Sequence, residues 1–196
     1  MLTFALAVFF LIITPGPGVL SVAGVGSAFG AGPAARYIGG LFVGTNLVAA
    51  AVVSGMAAVI LANDQVRLVL FVASMAYLVY LASRIAFAGS RIAFKEVPKV
   101  PGFWSGVVLQ ALNPKAYAVN TALFTGFAFW PESLAVETAF KFLIMNTIWV
   151  PIHLAWLYAG ITLHRLNLAP RVQRRVNMVM ALSMLLVVGL ALLAPK

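Results

Sequence analysis

The chain has 196 residues, of which 63% are hydrophobic and 9% charged, with a net charge of +9. A soluble domain is about 25% charged, so this composition excludes an ordinary soluble protein, a disordered chain and a fibrous one. Cysteine is absent, which excludes disulfides, thiolate catalysis and cysteine-held metal or iron–sulfur centres.

The apolar residues fall into six stretches, at about 3–27, 37–62, 66–88, 104–128, 138–163 and 177–194. At about 20 apolar residues per membrane-spanning helix, each is long enough to cross a bilayer. Gly30, Gly32 and Pro33 mark the first connection, Asn63 and Asp64 the second, and Pro98, Pro101 and Gly102 the third. Pro131 and Glu132 mark the fourth, and Pro170 the fifth. Runs such as Leu182 to Leu193 do not alternate as barrel strands do. The first stretch has no basic residue before it and no small-residue cleavage pattern after it, so it reads as a retained span rather than a signal peptide. The sequence therefore predicts an all-α polytopic membrane protein with six transmembrane helices in one domain, 1–196.

Charge gives the orientation. Arg36, Arg84, Arg91, Lys95, Lys99, Arg165, Arg171, Arg174 and Arg175 fall on one side; Arg67, Lys141 and Lys196 fall on the other. The basic-rich loops belong in the cytoplasm, so both termini are expected outside. The basic clusters are then orientation signals that also suit anionic lipid, and no nucleic-acid partner is expected.

The first span carries Thr14-Pro15-Gly16-Pro17-Gly18. Two prolines remove backbone donors and clash with the preceding turn. Such a break is tolerated where it faces protein or a watery cavity. It reads either as a kink packed among helices or as a broken helix whose ends bind substrate. The fourth span carries Asn113-Pro114-Lys115-Ala116. An ionisable side chain there either snorkels to a headgroup or points inward to an anionic group such as a carboxylate.

The breaks recur. Pro15 and Pro114 are 99 residues apart, and Asn46 and Asn146 in the second and fifth spans are 100 apart. Ala73-Ser74-Met75 and Leu182-Ser183-Met184 echo one another in the third and sixth spans. This predicts two inverted three-helix repeats, about 1–90 and 104–196, joined by a cytoplasmic loop at about 89–103, with broken helices in spans 1 and 4. Paired broken helices point to a binding site near the midplane. Asn46 and Asn146 read as an interhelical bond or as cavity-lining groups. Gly26-x-x-x-Gly30, Gly40-x-x-x-Gly44 and Gly102-x-x-x-Gly106 allow close helix approach, within the chain or in a homo-oligomer. His153, deep in the fifth span, reads as a packing residue or as a proton carrier. The acids Asp64, Glu96, Glu132 and Glu137 fall at loops or span ends. No acid–base pair, metal cluster or cofactor motif is expected, and the chain does not read as an enzyme.

Thr14-Pro15-Gly16-Pro17, the glycine-rich run through Gly44, Tyr77-Leu78-Val79-Tyr80-Leu81 and Asn113-Pro114-Lys115-Ala116 resemble the LysE/RhtB superfamily of amino-acid exporters over essentially the whole chain. The stretch Thr121 to Phe127 departs from the family pattern, which carries Pro-x-Phe there. The resemblance implies a secondary transporter of the bacterial inner membrane that exports amino acids or related small zwitterions, driven by an ion gradient. A passive facilitator on the same fold is the alternative. The residues expected to carry transport are Thr14, Pro15, Gly16, Pro17, Asn46, Asn113, Pro114, Lys115 and Asn146, with His153 as the candidate proton carrier.

Overall fold

A computed structural model describes residues 1–87, 100–166 and 168–193. The loop cations Arg91, Lys95 and Lys99, with Glu96 and Pro98, and the terminal Lys196 lie outside the described residues. The side chains of Arg67, Ser74 and Met184 do too.

Every regular element among the described residues is a helix. In chain order these are α1 (Leu2–Ile13), α2 (Pro17–Phe29), α3 (Ala31–Val53), α4 (Met56–Ala62), α5 (Asp64–Ala86), α6 (Phe103–Leu112), α7 (Pro114–Gly126), α8 (Leu134–Arg165) and α9 (Pro170–Leu193). Among the described residues, α3, α5 and α8 are each long and apolar enough to cross a membrane. The pair α1 and α2 passes the same test together, bent by 49° at its break.

Prolines set the breaks by starting helices rather than by spoiling them. Pro17 and Pro114 stand in the first turns of α2 and α7, where the missing N–H would have had no helical partner. Pro170 likewise opens α9. In contrast, Pro33 lies within α3, so the first connection shrinks to Gly30. The second stretch is interrupted at Ser54 and Gly55, where Gly55 takes φ 75°, and α4 resumes beyond it. That break was not expected from the sequence. The fifth stretch runs longer than expected, from Leu134 to Arg165, and continues through Pro151.

Three pairings organise the bundle: α3 with α6, α2 with α8, and α5 with α9. Two of them are backbone-to-backbone. A Cβ on Gly40 would overlap the Phe103 carbonyl, and one on Gly106 would overlap the Tyr37 carbonyl. On the other pair, a Cβ on Gly160 would overlap the Ala23 carbonyl. Small residues at such crossings let helices touch without side chains between them. The spacing at Gly40 and Gly44 thus serves packing within the chain, whereas among the described residues nothing lies within 4 Å of a Cβ on Gly102. Around these crossings lies the main core, with Val22, Val25, Tyr37, Leu41, Leu81, Ile85 and Leu109 buried. Tyr77 adds a tie from α5, its hydroxyl donating to the Ser105 carbonyl at 2.8 Å.

One acid and one base counted with the loops are buried instead. Glu137 and Lys141, in the first turns of α8, form an ion pair at 2.8 Å with side chains 7% and 3% exposed. Glu137 Oε2 accepts from the Phe129 and Trp130 N–H groups at 2.8 and 2.7 Å. Lys141 Nζ donates to the Phe124 carbonyl at 2.9 Å and sits 6.0 Å from the centre of the Phe4 ring. The pair therefore pins the start of α8 to the end of α7 and to α1. Each charge is matched, as a buried charge must be.

Candidate functional site

The two helix breaks meet. Lys115 is half-buried in the first turn of α7, and its Nζ donates to the Thr14 carbonyl at 2.8 Å. Thr14 is the residue that ends α1. A carbonyl at a helix C-terminus carries partial negative charge, so the ammonium neutralises the end of one half-helix from the start of another. The stem of Lys115 lies over Gly16, where a Cβ would come within 3.0 Å of Cδ and Nζ.

A cavity opens beside this junction. From α1 it is lined by Leu11 and Ile12, from the first break by Thr14 and Gly16, and from α2 by Gly18 and Val19. From the second break and α7 come Asn113, Lys115, Ala116, Val119, Asn120 and Leu123. Thr45 of α3, Gln110 of α6, and Met145, Trp149 and His153 of α8 complete it. The first-turn N–H groups of α2 belong to Gly18 and Val19, and the cap residue Gly16 supplies no side-chain bond to them. Free first-turn donors with a helix dipole behind them favour an anion. Lys115 adds a full positive charge, and among the described residues no carboxylate lines the cavity.

The polar side chains around it are ordered by one another. Asn113 caps α7, its Oδ1 accepting from the Lys115 N–H at 3.1 Å. Its Nδ2 donates to Gln110 Oε1 at 2.9 Å, and Gln110 Nε2 donates to Thr45 Oγ1 at 2.5 Å. His153 Nδ1 lies 3.0 Å from the Trp149 carbonyl. A carbonyl can only accept, so Nδ1 is the donor and Nε2 is left to accept in the neutral ring. That Nε2 lies 3.7 Å from where a Gly18 Cβ would sit. The His153 ring stacks on Trp149 with centroids 3.6 Å apart.

Among the residues singled out by sequence, Thr14, Gly16, Asn113, Lys115 and His153 line the cavity. Pro15, Pro17 and Pro114 shape the breaks. Asn46 and Asn146 are not among the lining residues and bond reciprocally to each other across α3 and α8. Thr45, Gln110, Asn120 and Trp149 line the cavity without having been singled out. Asn120 carried a readable signal, since it is seven residues, or about two turns, beyond Asn113 and repeats its face. Thr45 is the immediate neighbour of Asn46, turned about 100° round the helix.

Among the described residues, no group of three or more His, Cys, Asp or Glu side chains could hold a metal ion. No curated protein and no solved structure matches the chain. A sequence profile described as LysE type translocator matches residues 9–195, nearly the whole length. That family is one of transporters rather than enzymes, in keeping with the apolar helices. The chain is a membrane protein and belongs to the LysE type translocator family.

Proposed function

We propose that the protein exports amino acids or similar small zwitterions across the bacterial inner membrane by alternating access, driven by an ion gradient. The observation that carries this is the contact of Lys115 Nζ with the Thr14 carbonyl. It joins two helix breaks at a cavity that presents a cation and the open N-terminus of α2. That combination suits a substrate carboxylate, with Asn113 and Gln110 holding Lys115 and the floor in place.

In this reading six spans form two inverted repeats, with α1–α2 matching α6–α7, α3 matching α8, and α5 matching α9. The reciprocal bond between Asn46 and Asn146 supports it, because equivalent positions of two repeats meet on a two-fold axis. The packing supports alternating access. On the side of α2 and α6, helices meet backbone to backbone at Gly40, Gly106 and Gly160. On the side of α1 and α7, side chains such as Leu11 and Leu123 wall an open cavity. With the loop after α2 in the cytoplasm and both termini outside, this is a form closed inward. His153, with Nε2 toward Gly18, is the proposed proton carrier.

Among the described residues the lining holds no carboxylate to pair with a cationic side chain, which argues against a substrate that carries one. Glu137 is buried, but Lys141 already occupies it. Cells loaded with an alanine- or threonine-containing dipeptide and followed for amino-acid efflux test the proposal. Efflux should require this protein and fall at least tenfold with Lys115→Ala. Efflux equal in the presence and absence of the protein would sink the transport reading. Efflux that persists unchanged after the proton gradient is collapsed, at a constant substrate gradient, would make the protein a facilitator.

A further inference from the structure

We propose that Asn120 is the acceptor for the substrate's ammonium group, so that the cavity selects amino acids over the corresponding 2-oxo acids. The proposal rests on the transport reading above and adds a specificity residue to it. Asn120 is 2% exposed and lines the cavity from α7. Its Nδ2 donates to the Ala116 carbonyl at 2.7 Å. A carbonyl accepts only, so this bond fixes which end of the amide is which. Among the described residues, Oδ1 is left buried with no hydrogen-bond partner.

The neighbouring amides differ. Both ends of Gln110 are used, by Thr45 and by Asn113. Both ends of Asn113 are used, by Gln110 and by the Lys115 N–H. Asn120 Oδ1 is thus an unmet acceptor on a wall whose neighbours are satisfied. A buried acceptor without a partner is costly, and that cost is recovered when a ligand donates to it.

The ligand that donates here must also satisfy a cation. Lys115 lies five residues earlier on the same helix, a rise of about 7.5 Å. An α-amino acid placed with its carboxylate at Lys115 and the α2 N-terminus turns its ammonium toward Asn120. A 2-oxo acid keeps the carboxylate but offers a second acceptor to an acceptor, and both oxygens stay unpaired. A charge-assisted bond gained or lost at such a site changes preference by about ten- to a hundredfold. An amide is the fitting group for this task. It accepts from an ammonium without adding a negative charge that would hold the substrate or repel its carboxylate.

The test uses the purified full chain in lipid vesicles and compares L-alanine, L-valine and L-leucine with pyruvate and the 2-oxo acids of valine and leucine. The wild type should move the amino acids at least tenfold better. Asn120→Leu should raise KM for the amino acids toward the level of the oxo acids, while oxo-acid transport, freed of the opposed acceptor, should not fall. Asn120→Asp, which keeps an acceptor, should retain the preference. Equal loss for both classes in Asn120→Leu, or unchanged amino-acid transport, overturns the role of Asn120 while export stands. Should Asn120→Leu fail to elute as a single folded species, loss of preference in folded Asn120→Asp overturns it instead. A wild type that moves none of the six above empty vesicles overturns the export reading and this one with it.

Discussion

Asn46 on α3 and Asn146 on α8 each donate an amide N–H to the other's oxygen, at 3.0 and 2.9 Å. The exchange is not symmetric in its surroundings, because Asn46 Nδ2 also reaches the Phe42 carbonyl at 2.9 Å. Removing Asn146 leaves Asn46 with that bond, whereas removing Asn46 strands the Asn146 amide. Asn46→Leu should therefore cost more than Asn146→Leu, at about 1 kcal/mol for an interhelical polar pair in a membrane protein. The double substitution should recover part of the loss, since no amide is then stranded. Thermal unfolding of the four proteins in one detergent gives the cycle, and an equal loss from both single changes would contradict the asymmetry.

The glycine crossings predict a sharper contrast. At Gly40, Gly106 and Gly160 a Cβ meets backbone carbonyls, which cannot swing aside as a side chain can. Alanine at any of the three must push two helices apart. Overpacking of this kind costs about 1–3 kcal/mol, and rigid backbone neighbours favour the upper end. Among the described residues nothing lies within 4 Å of a Cβ on Gly32 or Gly126, so alanine there should be close to neutral. Melting temperature and the yield of monodisperse protein provide the comparison.

What the sequence made legible follows from chemistry that is rare inside an apolar chain. The Pro-Gly run at Thr14 to Gly18, the cation at Lys115 and the paired asparagines stand out because an apolar span has few reasons to contain them. The structure brings the first two together at one cavity. The facing of ordinary residues was not legible. In a soluble helix an apolar stripe marks the inside. Here Leu47, Leu68 and Leu143 are exposed while Leu41, Leu81 and Leu109 are buried, and nothing in residue type separates the two sets. Trp149 was hidden for that reason, and Thr45 because its neighbour Asn46 drew attention to the wrong face. Glu137 and Lys141 were hidden for another reason. Each alone resembles a surface charge at a span end, and only their i, i+4 spacing hints that they satisfy each other.

That ion pair gives a third prediction. Lys141→Met should leave the Glu137 carboxylate buried beside only the Phe129 and Trp130 N–H groups. Glu137→Gln should leave an unmatched ammonium among the Phe4 and Phe129 rings. Both single variants should melt below the wild type, and the double variant should melt above the worse of the two, because a pair removed whole strands no charge. A double variant that melts as low as, or below, the worse single would show that the ion pair is not the source of the effect.

Gly16 tests the junction without touching the charge. Its backbone is extended, with φ −161°, so any residue can adopt the conformation. An added Cβ would press on Lys115 Cδ and Nζ at 3.0 Å. Those atoms are the far end of a flexible chain, so the fold has little reason to suffer. Lys115 must move, however, and the Thr14 carbonyl loses its ammonium. Gly16→Ala should therefore keep a melting temperature within a few degrees of wild type and lower substrate efflux several-fold. Gly16→Val, with two further methyl groups at the same point, should lower it more. Lys115→Arg supplies the companion measurement. A guanidinium keeps the positive charge but is larger and planar, so it should retain part of the efflux in the Gly16 background and less once Ala stands at position 16. If Gly16→Ala transports as well as the wild type, the contact between Lys115 and Thr14 does not matter for transport. If it fails to fold, Gly16 serves packing rather than the placement of Lys115.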